Sequence, residues 1–167
     1  MNPVRLTIGA VALSAGGLVA IALHEGYTER AVRPLPGDVP TVGFGSTRRT
    51  DGSAVQIGDQ TTPPQALARM LRDVKKFEGR LRECITAPVA QHEYDAILSW
   101  AYNVGPEAAC RSTLVRRLNA GDYSAACAEL ERWVWFQGRD CRDPAHRCGG
   151  LVARRAQERA LCEGRGP

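Results

Sequence analysis

Residues 6–23 form an unbroken run of 18 residues without a charge, and the run ends in His24-Glu25-Gly26. No other stretch limits the fold so much. As a helix such a run rises about 27 Å, just enough to cross the hydrocarbon core of a bilayer. Arg5 and the N-terminal amine precede it, and Glu25, Glu29 and Arg30 follow. The positive flank predicts an N-terminus inside and the remainder outside. Ten of the 18 residues are Gly, Ala, Ser or Thr and eight are Leu, Ile or Val, so insertion is expected to be marginal. Three readings are open: a cleaved signal peptide with Ala20-Ile21-Ala22 as its small-x-small site, a permanent anchor, or an anchor weak enough to leave the bilayer and become the first helix of a soluble domain. The third is preferred. Cleavage after Ala22 would leave Glu25 three residues from a frayed new terminus.

Six cysteines, Cys84, Cys110, Cys127, Cys141, Cys148 and Cys162, lie behind this segment. An even number in that context suggests export to an oxidising compartment. Only Cys141–Cys148 is expected as a definite pair, because the short connection between them contains Pro144 and can turn back. Zinc is the competing reading there, since His146 lies between the two thiols, but no second pair at ligand spacing completes four ligands. No cofactor is expected.

Most of the net charge of +4 sits late, with Arg132, Arg139, Arg142, Arg147, Arg154, Arg155, Arg159 and Arg165. A basic face suits an anionic partner such as nucleic acid, a membrane surface or a cell-wall polymer, and it also suits a solvated helix. Nucleic acid is the weaker choice, for no zinc-finger spacing or Arg/aromatic stripe is present.

Residues 26–40 read as a loop, because Pro34, Pro36-Gly37, Asp38 and Pro40 forbid a long helix. Residues 41–50 and 54–57 read as two strands around the Asp51-Gly52 turn. Gly43 and Gly45 suggest close approach of another backbone or a ligand. Thr62-Pro63-Pro64-Gln65 has the form of a capping box with Pro at the first helical position. Leu67, Met70, Leu71, Val74, Phe77 and Leu81 follow at helical spacing, predicting a long amphipathic helix. Further helices are expected over about 90–104 (stopped by Gly105), 111–119, 123–133 and 150–162. This order predicts an α+β chain with a small β-sheet lobe, a helical bundle lobe and a cleft between them.

The chemistry centres on Glu25. An acid ending an apolar helix is partly desolvated, which favours the protonated form of a carboxyl group. A protonated carboxyl is what a general acid needs in glycoside cleavage, where a second group stabilises the cationic sugar or directs a water. Thr41, 16 residues after Glu25, could hold that water through its hydroxyl; plain β-propensity is the alternative.

His24-Glu25-Gly26, Pro40-Thr41-Val42-Gly43-Phe44-Gly45 and Trp100-Ala101-Tyr102-Asn103-Val104-Gly105 occur in this order, followed by Cys110-Arg111-Ser112-Thr113-Leu114, Leu118-Asn119-Ala120-Gly121-Asp122 and Gly150-Leu151-Val152-Ala153-Arg154-Arg155. Together they resemble the bacteriophage T4-type lysozymes, in particular lambdoid phage endolysins that carry a signal-anchor-release segment. The resemblance runs from about His24 to Cys162. It implies a lysozyme-like fold over residues 24–167, with residues 1–23 as the signal-anchor-release segment and first helix. It implies hydrolysis of the β-1,4 bond between N-acetylmuramic acid and N-acetylglucosamine in peptidoglycan, and hence host lysis. Glu25 takes the place of the general acid and Thr41 that of the water-positioning residue. The family's third residue, usually Asp, falls nine after the Glu and six before the Thr; here those positions hold Pro34 and Leu35, and the Glu–Thr spacing is one residue longer. Asp38, three before Thr41, is the nearest acid and reads equally as a turn residue; Glu29 is a poorer substitute. The missing Asp keeps a lytic transglycosylase open, and a non-catalytic cell-wall-binding lysis regulator is the non-enzyme alternative. The expected partners are peptidoglycan glycan strands and, before release, the host inner membrane through residues 6–23. A monomer is expected, exported to the host periplasm, first tethered and then soluble.

Overall fold

A computed structural model describes residues 3–35 and 37–165. The parts of the expectations above that rest on Met1, Asn2, Pro36, Gly166 and Pro167 lie outside the described residues. The chain divides into two compact units, one of residues 18–76 and one that joins the N-terminal residues up to Gly17 to Phe77 and all that follows.

Residues 18–76 hold most of helix α1 (Ala15–Glu25), strands β1 (Thr28–Val32) and β2 (Thr41–Gly43), and the first half of helix α2 (Pro63–Cys84). β1 falls where a loop was expected. Its reason is a small apolar cluster: Ala31 is buried with Val42 and Val55, and β1 also bonds Asp59 and Thr61 through the backbone of Ala31 and Glu29, each at 2.9 Å. β1 and β2 are antiparallel, with Thr28 opposite Gly43, Val32 opposite Thr41 and an irregularity between. The two expected strands over 41–50 and 54–57 shrink to β2 plus single bridges, Val42–Ser46 and Arg48–Ala54. Gly43 and Gly45, at φ of 70° and 76°, turn the chain before a long strand can form. The Asp51-Gly52 turn is present, with the Gly52 N–H on the Arg49 carbonyl at 3.0 Å. So is the start of α2: the Gln65 side chain accepts the Thr62 N–H at 3.3 Å, the reciprocal half of a capping box.

In the other unit, α3 (Gln91–Val104) is the central element. Residues 93–101 are all buried, so this helix is enclosed on every side rather than on one face. It packs chiefly on α7 (Gly149–Cys162). Between them run α4 (Pro106–Cys110), α5 (Thr113–Asn119), α6 (Tyr123–Glu129) and a hairpin of β3 (Trp135–Phe136) and β4 (Arg139–Asp140). The helix expected over about 111–119 is α5, started at Thr113 by the Ser112 hydroxyl, which accepts the Val115 N–H at 3.1 Å; α4 was not expected. The hairpin was not expected at all. Three disulfides, Cys84–Cys110, Cys127–Cys162 and Cys141–Cys148, tie the unit together. Cys141 and Cys148 are bonded to each other, so the alternative of two thiolate zinc ligands is not realised.

The apolar N-terminal run differs most from expectation. It is not one helix. Leu6 exchanges backbone bonds with Val89 at 2.9 and 2.8 Å, residues 8–10 make a single 3₁₀ turn, and α1 begins only at Ala15. Side chains of α2 and α3 explain this by taking the backbone away from a helix. The Glu78 carboxylate accepts the Leu13 N–H at 2.8 Å, and Asp95 accepts the Ser14 N–H at 3.0 Å and its hydroxyl at 2.6 Å. Arg82 and Gln91 donate to the carbonyls of Val11 and Ala12 at 3.0 and 2.9 Å. The Ser14 oxygen then accepts the Gly17 N–H at 3.0 Å, acting as an N-cap. Among the described residues no helix is long and apolar enough to cross a membrane.

Candidate active site

Glu25 is the last residue of α1. Gly26 ends the helix at φ 66°, its N–H bonded to the Ala22 carbonyl at 3.1 Å. The helix end holds the Glu25 carboxylate, half-buried, against the turn that follows β2. There the Val42 and Ser46 backbones bond each other both ways at 3.1 Å, forming a closed loop over Gly43-Phe44-Gly45. A Cβ on Gly45 would stand 3.3 Å from the Glu25 Oε2 atom, and one on Gly43 would stand 2.7 Å from the Ala66 Cβ. Both glycines therefore sit where the sequence suggested a close approach: one faces helix α2, the other the acid.

This turn is pinned from outside. Ser46 is buried and donates its hydroxyl to Asp73 at 3.0 Å. Phe44 lies 5.5 Å from the Tyr27 ring, and the Tyr27 hydroxyl donates to the Thr61 carbonyl at 3.0 Å. Sequence reasoning did not single out Tyr27, Phe44, Ser46 or Asp73. Only the position of Tyr27, directly after Glu25-Gly26, could have drawn attention to it.

Thr41 opens β2 beside this turn and is half-buried. Among the described residues its hydroxyl has no hydrogen-bond partner, which leaves it able to hold a water or a substrate oxygen. Asp38 lies in the connection between β1 and β2 and is exposed. Its backbone N–H closes a turn onto the Leu35 carbonyl at 3.1 Å, and its carboxylate has no partner among the described residues. So Glu25 and the glycine turn are brought together, with Thr41 at the base of that turn.

Residues 18–76 also carry a charged surface. Arg49 pairs with Asp59 at 2.7 Å, and this guanidinium holds the Asp59 carboxyl well below its usual 3.8, at about 2. Arg72 donates to the carbonyls of Thr50 and Arg49 at 2.9 and 3.1 Å, tying the loop to α2.

A model of the phage lysozyme family matches residues 22–158. The chain belongs to the phage lysozyme family. It is similar to an endolysin of Acyrthosiphon pisum secondary endosymbiont phage 1, at 37% identity over 151 residues that cover 90% of this chain and 97% of the relative. A SAR-endolysin of Escherichia phage 933W is 42% identical over 138 residues, covering 82% of this chain and 77% of the relative. Among solved structures, the endolysin from Escherichia coli O157:H7 phage FAHEc1 aligns with a TM-score of 0.82 at 32% identity, covering 95% of this chain and 98% of that one. The fold is the lysozyme-like α+β fold. The protein is a phage lysozyme, a glycoside hydrolase that cleaves peptidoglycan and lyses the host.

Proposed function

We propose that Glu25 is the general acid of this phage lysozyme. The observation that carries the proposal is the carboxylate at the end of α1, packed against the Gly45 backbone. A half-buried acid on a helix terminus, set against the backbone of Gly45, is held in a fixed direction. Thr41 holds the attacking water through its hydroxyl. Asp38, exposed and closing a turn onto the Leu35 carbonyl, serves as a turn residue rather than a second catalytic carboxylate. Digestion of purified peptidoglycan tests the reaction class. Hydrolysis leaves reducing muramic acid ends, and the mass of the released fragments shows them. 1,6-Anhydro ends would mean a transglycosylase, and no release would mean a non-catalytic wall binder.

We further propose that the protein is exported to the periplasm, tethered first by residues 6–23 and active after release. The uncharged run and the similarity to a protein named a SAR-endolysin support this. A spanning helix over 6–23 and the observed Leu6–Val89 bridge, 3₁₀ turn and shorter helix are different conformations of the same residues. Release therefore requires refolding onto Glu78 and Asp95. Membrane and soluble fractions of cells making the full chain, followed over time, test it: one full-length species should move from the first to the second.

A further inference from the structure

The first half of α2 turns cations and bare leucines to solvent on one side. Between Pro63 and Lys76 the chain carries Arg69, Arg72, Lys75 and Lys76 against a single acid, Asp73. Asp73 is half-buried and turned to Ser46, whose hydroxyl proton it accepts at 3.0 Å. At about 3.6 residues per turn, Leu67, Leu71, Lys75, Arg72 and Lys76 follow one another around the helix, and no acid of this half interrupts that arc. Leu67 is 39% exposed and Leu71 is 42% exposed.

The cations of this arc are little compensated. Arg72 and Lys75 have no carboxylate partner among the described residues, and Lys76 reaches Asp73 at 3.4 Å while staying largely exposed. The Arg72 guanidinium is fixed in place by the Thr50 and Arg49 carbonyls at 2.9 and 3.1 Å. These bonds seat the 49–52 turn beside the helix. Arg48, exposed at the edge of that turn, donates to the Gly52 carbonyl at 3.3 Å and also has no carboxylate partner among the described residues. The late arginines differ. Arg132, Arg142, Arg154, Arg155, Arg159 and Arg165 each pair with a carboxylate, so most of the charge gathered there is answered from within the chain.

Cations alone suit any polyanion; the leucines narrow the choice. A nucleic acid or a wall polymer offers no apolar layer to Leu67 and Leu71. Residues 61–76 also contain no aromatic ring on which a base or a sugar could stack. A bilayer with anionic headgroups meets both halves of the arc. Its phosphates accept from Arg and Lys, and the boundary below them takes up leucine side chains.

We propose that the outer face of α2 over Leu67–Lys76, with Arg48 beside it, is a docking surface by which the folded protein binds an anionic phospholipid bilayer. It acts separately from the insertion of residues 6–23 and rests on neither the catalytic assignment nor the tether proposed above.

The test sediments the purified, soluble, full-length protein with vesicles of phosphatidylglycerol or of phosphatidylcholine. Two variants, Lys75→Gln/Lys76→Gln and Leu67→Gln/Leu71→Gln, put another good helix former at exposed positions of α2, and a thermal midpoint equal to the parent's shows that each folds. The parent should bind phosphatidylglycerol at least about tenfold more tightly than phosphatidylcholine. The lysine pair should weaken that binding by about tenfold or more, at roughly fivefold per cation lost. The leucine pair should weaken it by about fivefold or more. Equal binding to the two lipids, or no binding, overturns the proposal. Binding that neither pair weakens overturns it too, and places the contact on residues 6–23 or another face. So does loss with only one pair, since charge alone describes a general polyanion surface and leucine alone a general apolar one. Turnover of peptidoglycan without vesicles should stay within about twofold in both variants; a larger fall would give this face to the wall polymer and refute the lipid assignment.

Discussion

Two adjacent glycines at the start of α1 differ in what surrounds them, and the difference has a size. A Cβ on Gly16 would meet only the Ser14 hydroxyl, at 3.7 Å. A Cβ on Gly17 would stand 2.6 Å from the Leu13 Cδ1 atom and 2.8 Å from both Cγ and Oδ1 of Asp95. Asp95 cannot step aside cheaply. It is 5% exposed and accepts bonds from the Ser14 N–H, the Ser14 hydroxyl and Gln91. Gly16→Ala and Gly17→Ala gain the same helix propensity, up to about 1 kcal/mol each, so that gain cancels in the comparison. What remains is overpacking, about 1–3 kcal/mol against Gly17→Ala alone. For a chain of this size that is a midpoint lower by roughly 2–12 °C. Urea and thermal unfolding of the soluble proteins measure the difference. Equal stability of the two variants, within about 0.5 kcal/mol, would refute the docking of this segment onto Asp95.

The same geometry separates folding from membrane release. Gly16→Leu leaves its side chain in solvent in the folded state and favours insertion by about 0.5 kcal/mol, so it should raise the membrane-bound fraction two- to threefold at unchanged soluble stability, read by fractionation; Gly17→Leu confounds the two effects. Thr41→Ala should lower turnover of peptidoglycan by at least about tenfold through loss of the positioned water, and Asp38→Asn by less than about twofold; the reverse order would place Asp38 in the reaction. Asp59, with its folded value of about 2 below the ordinary 3.8, adds stability that is full above pH ~4 and is lost as pH falls toward ~2. Denaturation against pH should show a larger acid loss in the parent than in Asp59→Asn, because Asp51, Asp140 and Glu163 are also held below their ordinary values and remain in both. Reduction of the protein should lower its thermal midpoint, since each of the three disulfides contributes typically about 2–4 kcal/mol; an unchanged midpoint after verified reduction would contradict this.

The long helices were legible because their signals were local and redundant. α2 has an apolar stripe, prolines at its start and Gln65 to cap it, and α3 has an apolar run stopped by Gly105. The pairing of Cys141 with Cys148 was legible because only seven positions separate them; the other two bridges, across 26 and 35 positions, depend on how helices pack. The N-terminal run was misread over its first half because its conformation is imposed by distant carboxylates, Glu78 and Asp95, which no local pattern reveals. β1 and the β3–β4 hairpin were missed because each strand is short and gains its pairing from residues elsewhere in its unit. At the proposed site, the close approach at Gly43 and Gly45 was readable from their positions. The role of Asp38 was not, since a turn residue and a catalytic carboxylate look alike without contacts. Ser46 and Tyr27 were invisible because their partners, Asp73 and Thr61, lie far along the chain.

The most direct test of the account is turnover of peptidoglycan by Glu25→Gln, which keeps the shape of the side chain and removes the acid. The predicted result is a folded protein with the parent's thermal midpoint and a rate lower by about 10²–10⁴-fold, the usual contribution of a positioned general acid. A rate within a factor of a few of the parent's would show that the proton comes from another group.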